Sequence, residues 1–184
     1  MPGRIILLNG TSSAGKTSLA KAVQDKAAET FYLVSIDDFI NMAGEHAFER
    51  DAWRILREAM RNFCAVINVL YDLDRNILID VVGVKDGTGI FSELVEALKG
   101  KSVLLTHVRC DLNELAAREE ARGDRLVGLA RSQYDQAYGN IPYDVIADTT
   151  SNSAEHCADI VLEAFYDSAR WKGFSTMDAS QYEP

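Results

Sequence analysis

Residues Gly10 to Thr17 read GTSSAGKT, the pattern G-x-x-x-x-G-K-[ST]. Small residues at these spacings let successive backbone N–H groups turn inward around phosphate oxygens. The helix that would start near Lys16 adds the positive end of its dipole. Lys16 brings a full charge to the β- and γ-phosphates, and the Thr17 hydroxyl suits a divalent cation such as Mg²⁺. The expected nucleotide-binding set is Gly10, Thr11, Ser12, Ser13, Ala14, Gly15, Lys16, Thr17 and Ser18. An apolar stretch precedes the motif and a helical spacing follows it, which is the context this loop requires.

Acidic residues lie where further apolar runs end. Asp37 and Asp38 close FYLVSIDD, and Asp80 sits within ILIDVVG. A carboxylate among apolar neighbours is costly unless it meets a cation. Asp80 is therefore expected to act with Thr17 as a metal-binding residue for Mg²⁺. Phosphoryl transfer to an alcohol needs a carboxylate that orients the acceptor hydroxyl and takes its proton. Asp37 is placed for that role. The two adjacent acids also allow one to cap a helix starting near Asp38.

Positive charge is concentrated in REEARGDRLVGLAR, Arg118 to Arg131. Arg118, Arg122, Arg125 and Arg131 supply four of the chain's 19 basic residues. Gly123 would hinge two helical stretches into a lid over the phosphates. Arg122 and Arg125, with Lys16, are expected to stabilise charge on the transferring group. The other reading is a solvated face of i,i+4 ion pairs, because Glu119, Glu120 and Asp124 interleave with the arginines.

These side chains need a scaffold that brings strand ends together. Strands are expected at Arg4–Leu8, Phe31–Ile36, Asn76–Val82, Ser102–Val108 and Tyr143–Ala147. Helices are expected at Lys16–Glu29, Arg50–Leu70, Ile90–Leu98, Leu112–Ala121, Leu126–Ala137 and Ala154–Arg170. Strands alternating with helices imply an α/β fold, a five-stranded parallel sheet covered on both faces. Ligands then bind beyond the carboxyl ends of the strands. One domain is expected over residues 1–170, with the lid at about 118–131. The tail from 171 to 184 shows no clear period; it is either disordered or packs its Trp and Tyr on the body.

The 184 residues are 47% hydrophobic and 26% charged, an ordinary globular balance. The net charge of −9 argues against nucleic-acid binding and against an anionic membrane surface. No apolar run reaches the roughly 18 residues of a membrane span, and the N-terminus does not read as a signal peptide. Cys64, Cys110 and Cys157 are widely spaced and odd in number, matching neither a disulfide framework nor a zinc site. Together these point to the cytoplasm.

The residues resemble the chloramphenicol phosphotransferase family. The resemblance is carried by IILLNGTSSAGKTSL, SIDDF, ILIDVV, VRCD, ARGDRLVGLARSQ, YDVIADTT and SAEHCADI, from Arg4 to about Val161. It implies a nucleotide- or shikimate-kinase-like P-loop fold and ATP-dependent phosphorylation of a hydroxyl on a small molecule. The family's catalytic base matches Asp37, its nucleotide loop Gly10 to Thr17, and its lid arginines Arg122 and Arg125. The segment from Asn41 to Tyr71, with Met42, His46, Phe48, Trp53 and Phe63, would line the acceptor pocket. It reads unlike that of the chloramphenicol enzyme, and DVVG stands where that enzyme has a second acid. The acceptor is left between an antibiotic such as chloramphenicol and a related metabolite. A nucleotide- or shikimate-type metabolic kinase is the alternative. A GTPase-like switch would use the D-x-x-G of Asp80 to Gly83, but no N-K-x-D guanine motif occurs.

Overall fold

Strand β1 (Ile5–Asn9) is IILLN, and every residue of it is buried. Its side chains alternate between two apolar layers, as strand geometry demands. Ile6 and Leu8 join Leu19, Val23, Val161 and Phe165 on one face. Ile5 and Leu7 join Phe63, Ile67, Leu94 and Val95 on the other. Both faces are thus covered, and this is why β1 is continuously apolar rather than alternating.

The computed structural model describes residues 3–83, 89–122, 128–138 and 141–182, with the backbone alone for 122, 135–138 and 170. Strands β2 (Phe31–Ser35), β3 (Asn76–Val81), β4 (Val103–Arg109) and β5 (Val145–Asp148) complete a five-stranded sheet with β1. All four pairings are parallel, in the order β2-β3-β1-β4-β5. β1 lies between β3 and β4, so the loop leaving it opens where the strand order switches sides.

Helix α1 (Lys16–Lys26) and α8 (Ala154–Tyr166) cover one face. α4 (Ala52–Asp72) and α5 (Ile90–Ala97) cover the other. α2 (Ile36–Met42) and α3 (Glu45–Arg50) lie between β2 and α4, and α6 (Leu112–Arg122) and α7 (Leu129–Tyr138) between β4 and β5. Three short 3-10 turns follow α8, at Ser168–Arg170, Phe174–Thr176 and Ala179–Tyr182. Among the described residues no helix is long and apolar enough to cross a membrane.

The structure corrects two helix boundaries. The helix expected from Arg50 starts at Ala52, after a break at Asp51 (φ −157°, ψ 76°) that separates it from α3. The Asp51 carboxylate accepts a hydrogen bond from Arg54 N and caps α4. The helix expected to run to Arg170 ends at Tyr166. The chain turns there so that the Trp171 ring packs on Phe165, with centroids 5.3 Å apart, and its indole N–H donates to Ala164 O at 2.9 Å.

Candidate active site

The loop between β1 and α1 holds its shape through its own backbone and that of its neighbours. Ala14 N donates to Thr11 O at 3.3 Å. Gly10 passes so close to β4 that an added Cβ would stand 2.3 Å from Val108 O, so no larger residue fits there. Ser13 has φ +61°, a conformation costly for a non-glycine residue. Its hydroxyl is buried with no hydrogen-bond partner among the described residues. An orphaned polar atom and backbone strain together in a tight loop mark a place built to receive polar oxygens.

Three side chains meet beside this loop. Thr17 Oγ1 donates to Asp80 Oδ2 at 2.7 Å. Lys16 Nζ lies 3.8 Å from Asp80 Oδ1 and donates to Thr11 O at 2.9 Å. Lys16 and Asp80 are both buried, at 8% and 5% exposure, so each charge is compensated by the other. The sheet register produces the meeting, because Asp80 pairs with Leu8 of β1 and with Ser35 of β2. Asn9 fixes the exit of β3. It accepts from Gly83 N at 2.6 Å and donates to Gly83 O at 3.2 Å and to the Tyr143 hydroxyl at 2.8 Å. A hydroxyl and a carboxylate are hard oxygen donors that fit Mg²⁺, whose remaining ligands are usually phosphates and water. Among the described residues no cluster of three or more His, Cys, Asp or Glu side chains could hold a metal unaided.

A cavity of about 890 Å³ opens over the loop, lined at this end by Ser12, Ser13 and Gly15 to Ser18, and by Asp80. Asp37 also lines it. The capping role considered for the acid pair is not what forms: α2 starts directly after β2 with Ser35 at its N-cap, and both acids lie in its first turn. That position favours negative charge at the helix's positive end. On Asp37's side the wall is apolar, built from Ile36, Ile40, Phe48, Trp53, Leu56 and Met60. Of the residues expected to line an acceptor pocket, Phe48 and Trp53 do so. Phe63 does not: it is wholly buried against Phe39, with ring centroids 5.5 Å apart. Trp53, Leu56 and Met60 form one stripe along α4, while Phe63 follows Ile55 and Ala59 into the core. Met42 is 77% exposed and His46 is exposed, and neither is in the wall.

The cavity is also lined by Arg118, Gln133, Thr149, Asn152 and Ala154. Arg118 donates to Glu114 at 2.9 Å, to Thr149 Oγ1 at 3.2 Å and to Thr149 O at 2.7 Å. Thr149 in turn donates to Ala14 O at 2.7 Å. The Arg122 side chain, Arg125 and the Gly123 hinge lie outside the described residues. Arg131 is exposed on α7. Glu119 departs from the solvated-face reading: it is 1% exposed and accepts from Gly128 N at 2.9 Å and Ala130 N at 2.7 Å. Gln133 had no assigned role in the sequence; its signal was the final Gln of ARGDRLVGLARSQ.

All three cysteines are buried free thiols. Burial, then the nearby Glu93 carboxylate, pushes Cys64 up to about 12, and burial also raises Cys110 and Cys157. They serve as packing residues.

Residues 3–166 match the family described as chloramphenicol phosphotransferase-like protein. A Mycobacterium tuberculosis protein (strain H37Rv), provisionally named an O-phosphotransferase, is 32% identical over 191 residues, covering 89% of this chain and 82% of that protein. Among solved structures, the M. tuberculosis APS kinase bound to AMPPNP and APS superposes with a TM-score of 0.64 at 16% identity, covering 90% of this chain and 98% of that one. Acinetobacter baumannii shikimate kinase with shikimate gives 0.67 at 16% identity, covering 90% and 94%. The Deinococcus radiodurans tunicamycin resistance protein gives 0.62 at 16% identity, covering 88% and 95%. At such identities the likeness is one of fold, a parallel P-loop kinase sheet flanked by helices. With the family match spanning most of the sequence, the chain belongs to the chloramphenicol phosphotransferase-like family and is a phosphotransferase with a hydroxyl acceptor.

Proposed function

We propose that the protein transfers the γ-phosphoryl group of ATP to a hydroxyl of a small molecule whose body is largely apolar. One observation carries the reading: Asp37, the phosphate loop and the apolar wall of α2, α3 and α4 border the same cavity. Loop amides and Lys16 bind and orient the triphosphate. Thr17 and Asp80 would hold Mg²⁺, which when bound neutralises phosphate charge. The Asp37 carboxylate orients the acceptor hydroxyl and takes its proton as the new P–O bond forms; the bond from the γ-phosphorus to the bridging oxygen breaks, and ADP leaves. Arg122 and Arg125 are assigned to the transferring group. Their part would be to hold its charge while the lid excludes water.

The wall formed by Ile36, Ile40, Phe48, Trp53, Leu56 and Met60 favours an apolar alcohol over a nucleoside monophosphate or a shikimate-like acid. Hydroxyl-bearing antibiotics, chloramphenicol among them, have this character, which would make resistance one outcome of the activity. ATP as donor, with buried free thiols, fits work in the cytoplasm.

The test is an ATP-consumption screen over hydroxyl-bearing antibiotics and metabolites, with Asp37→Asn beside the wild type. Asp37→Asn is expected to keep ATP affinity within about threefold and to lower kcat by about 10²-fold or more. Normal turnover by the variant would remove Asp37 from the role of base.

A further inference from the structure

Gln133 links α7 to the phosphate loop. Its Oε1 accepts from Ser12 N at 2.9 Å, across 121 residues of sequence. The Ser12 amide is a donor, so it is the oxygen of the carboxamide that must face the loop. The amide nitrogen, Nε2, is then the other end of the same planar group. It has no hydrogen-bond partner among the described residues, and Gln133 lines the cavity.

The position along the loop says which part of a ligand Nε2 would meet. Lys16 Nζ, the cation suited to the β- and γ-phosphates, donates to Thr11 O, the residue before Ser12. The carboxamide therefore stands at the terminal-phosphate end rather than at the base.

Gln133 is also held rigidly, as a ligand-binding group should be. The buried Glu119 carboxylate on α6 binds Gly128 N and Ala130 N and so fixes where α7 begins. Arg118, the preceding residue on α6, is tied to Thr149, and Thr149 to Ala14 O. The α6–α7 unit thus grips the loop at Ser12 N and, through Thr149, at Ala14 O.

We infer that Gln133 is a γ-phosphate contact, with Oε1 anchored on the Ser12 amide and Nε2 donating to a terminal phosphate oxygen. It distinguishes a triphosphate from a diphosphate without bringing further charge. The inference rests on the phosphate-loop part of the proposed function but needs no acceptor, so equilibrium binding tests it alone.

The experiment is calorimetric titration of the wild type, Gln133→Glu and Gln133→Met with a non-hydrolysable ATP analogue and with ADP, each with Mg²⁺. Glutamate keeps an oxygen for Ser12 N–H but has no donor and places negative charge beside the phosphate. It is expected to weaken the triphosphate by about tenfold or more and ADP by less than about threefold. Methionine, lacking both ends, is expected to weaken both ligands while still penalising the triphosphate more. A purely loop-holding Gln133 gives a different pattern: equal losses of triphosphate and ADP affinity for the uncharged methionine variant. That pattern overturns the inference and leaves the phosphotransfer reading intact. A wild type that binds neither nucleotide overturns both.

Discussion

His107 and Tyr143 stack with ring centroids 4.4 Å apart and planes 15° from parallel. The imidazole is 7% exposed. Burial, with help from the nearby Arg109 charge and against the pull of Asp148, lowers its pKa from 6.5 to about 4. The folded protein therefore keeps His107 neutral where the unfolded chain would protonate it. Between about pH 6.5 and 4 the unfolded state binds more protons, so stability falls as the pH drops through this window. The full loss from this group is about 3 kcal/mol. Asp148 acts lower. The Thr150 hydroxyl and then Arg109, against the raising effect of burial, hold its carboxyl at about 2, so its contribution is lost only as the pH falls below about 4. Urea unfolding at pH 7 and pH 4.5 measures the first effect. His107→Phe is expected to flatten the slope between those values, and an unchanged slope would assign it to other groups. Residues that obey a local rule were legible in the sequence. The spacing GTSSAGKT and the lone acid of ILIDVVG predict the loop and its neighbour, because register sets Asp80 beside Leu8 and the loop after β1 returns Thr17 to it. His107 carried no such signal, since its environment comes from β5 and Tyr143.

The α6–α7 pair shows where sequence pattern misleads at the scale of elements. Glu119 stands among arginines and acids, the composition of a solvated helix face. The structure buries it instead, and its two oxygens take amides at the start of α7. A helix N-terminus leaves its first amides without intrahelical partners, so a carboxylate there is favoured by hydrogen bonding and by the dipole. Sequence pattern cannot reveal this, because the amides belong to the next helix. Shortness hid α3, whose six residues show no period, and with it the break that Asp51 makes by capping α4; α2 was legible only as a helix starting near Asp38. Glu119→Ala is expected to cost about 1–3 kcal/mol, since the buried Ala130 amide and the more exposed Gly128 amide lose a charged partner. Amide exchange should report it locally: Gly128 and Ala130 lose protection while β1 and β3 keep theirs. Loss spread evenly over the molecule, or no loss, would contradict the assignment of Glu119 as the clamp on α7.

At the scale of the molecule, a chain of net charge −9 presents two cations, Lys16 and Arg118, among the described residues of its cavity. The rest of the architecture keeps that cavity in shape, including a segment beyond the family match, which ends at residue 166. Asp144 fastens this segment to the sheet. One oxygen accepts from Leu105 N at 2.9 Å, and the other from Lys172 N and Gly173 N at 2.8 and 2.6 Å. Phe174 and Tyr182 then enter the α4–α5 layer, and the Tyr182 ring meets Phe91 edge-on at 5.0 Å. Phe91 is itself part of the cavity wall. The crossing is so close that a Cβ on Gly173 would stand 1.7 Å from Pro142 O, a backbone atom that cannot rotate away. Gly173→Ala must therefore move the segment or the strand entry beneath it. The expected cost is about 2 kcal/mol or more in urea unfolding, within the range for overpacked sites. Limited proteolysis should then cut first after residue 166, because the segment loses its anchor on Asp144 before the sheet opens. Unchanged stability and an unchanged cleavage order would mean that the contact relaxes freely and that the segment does not brace Phe91.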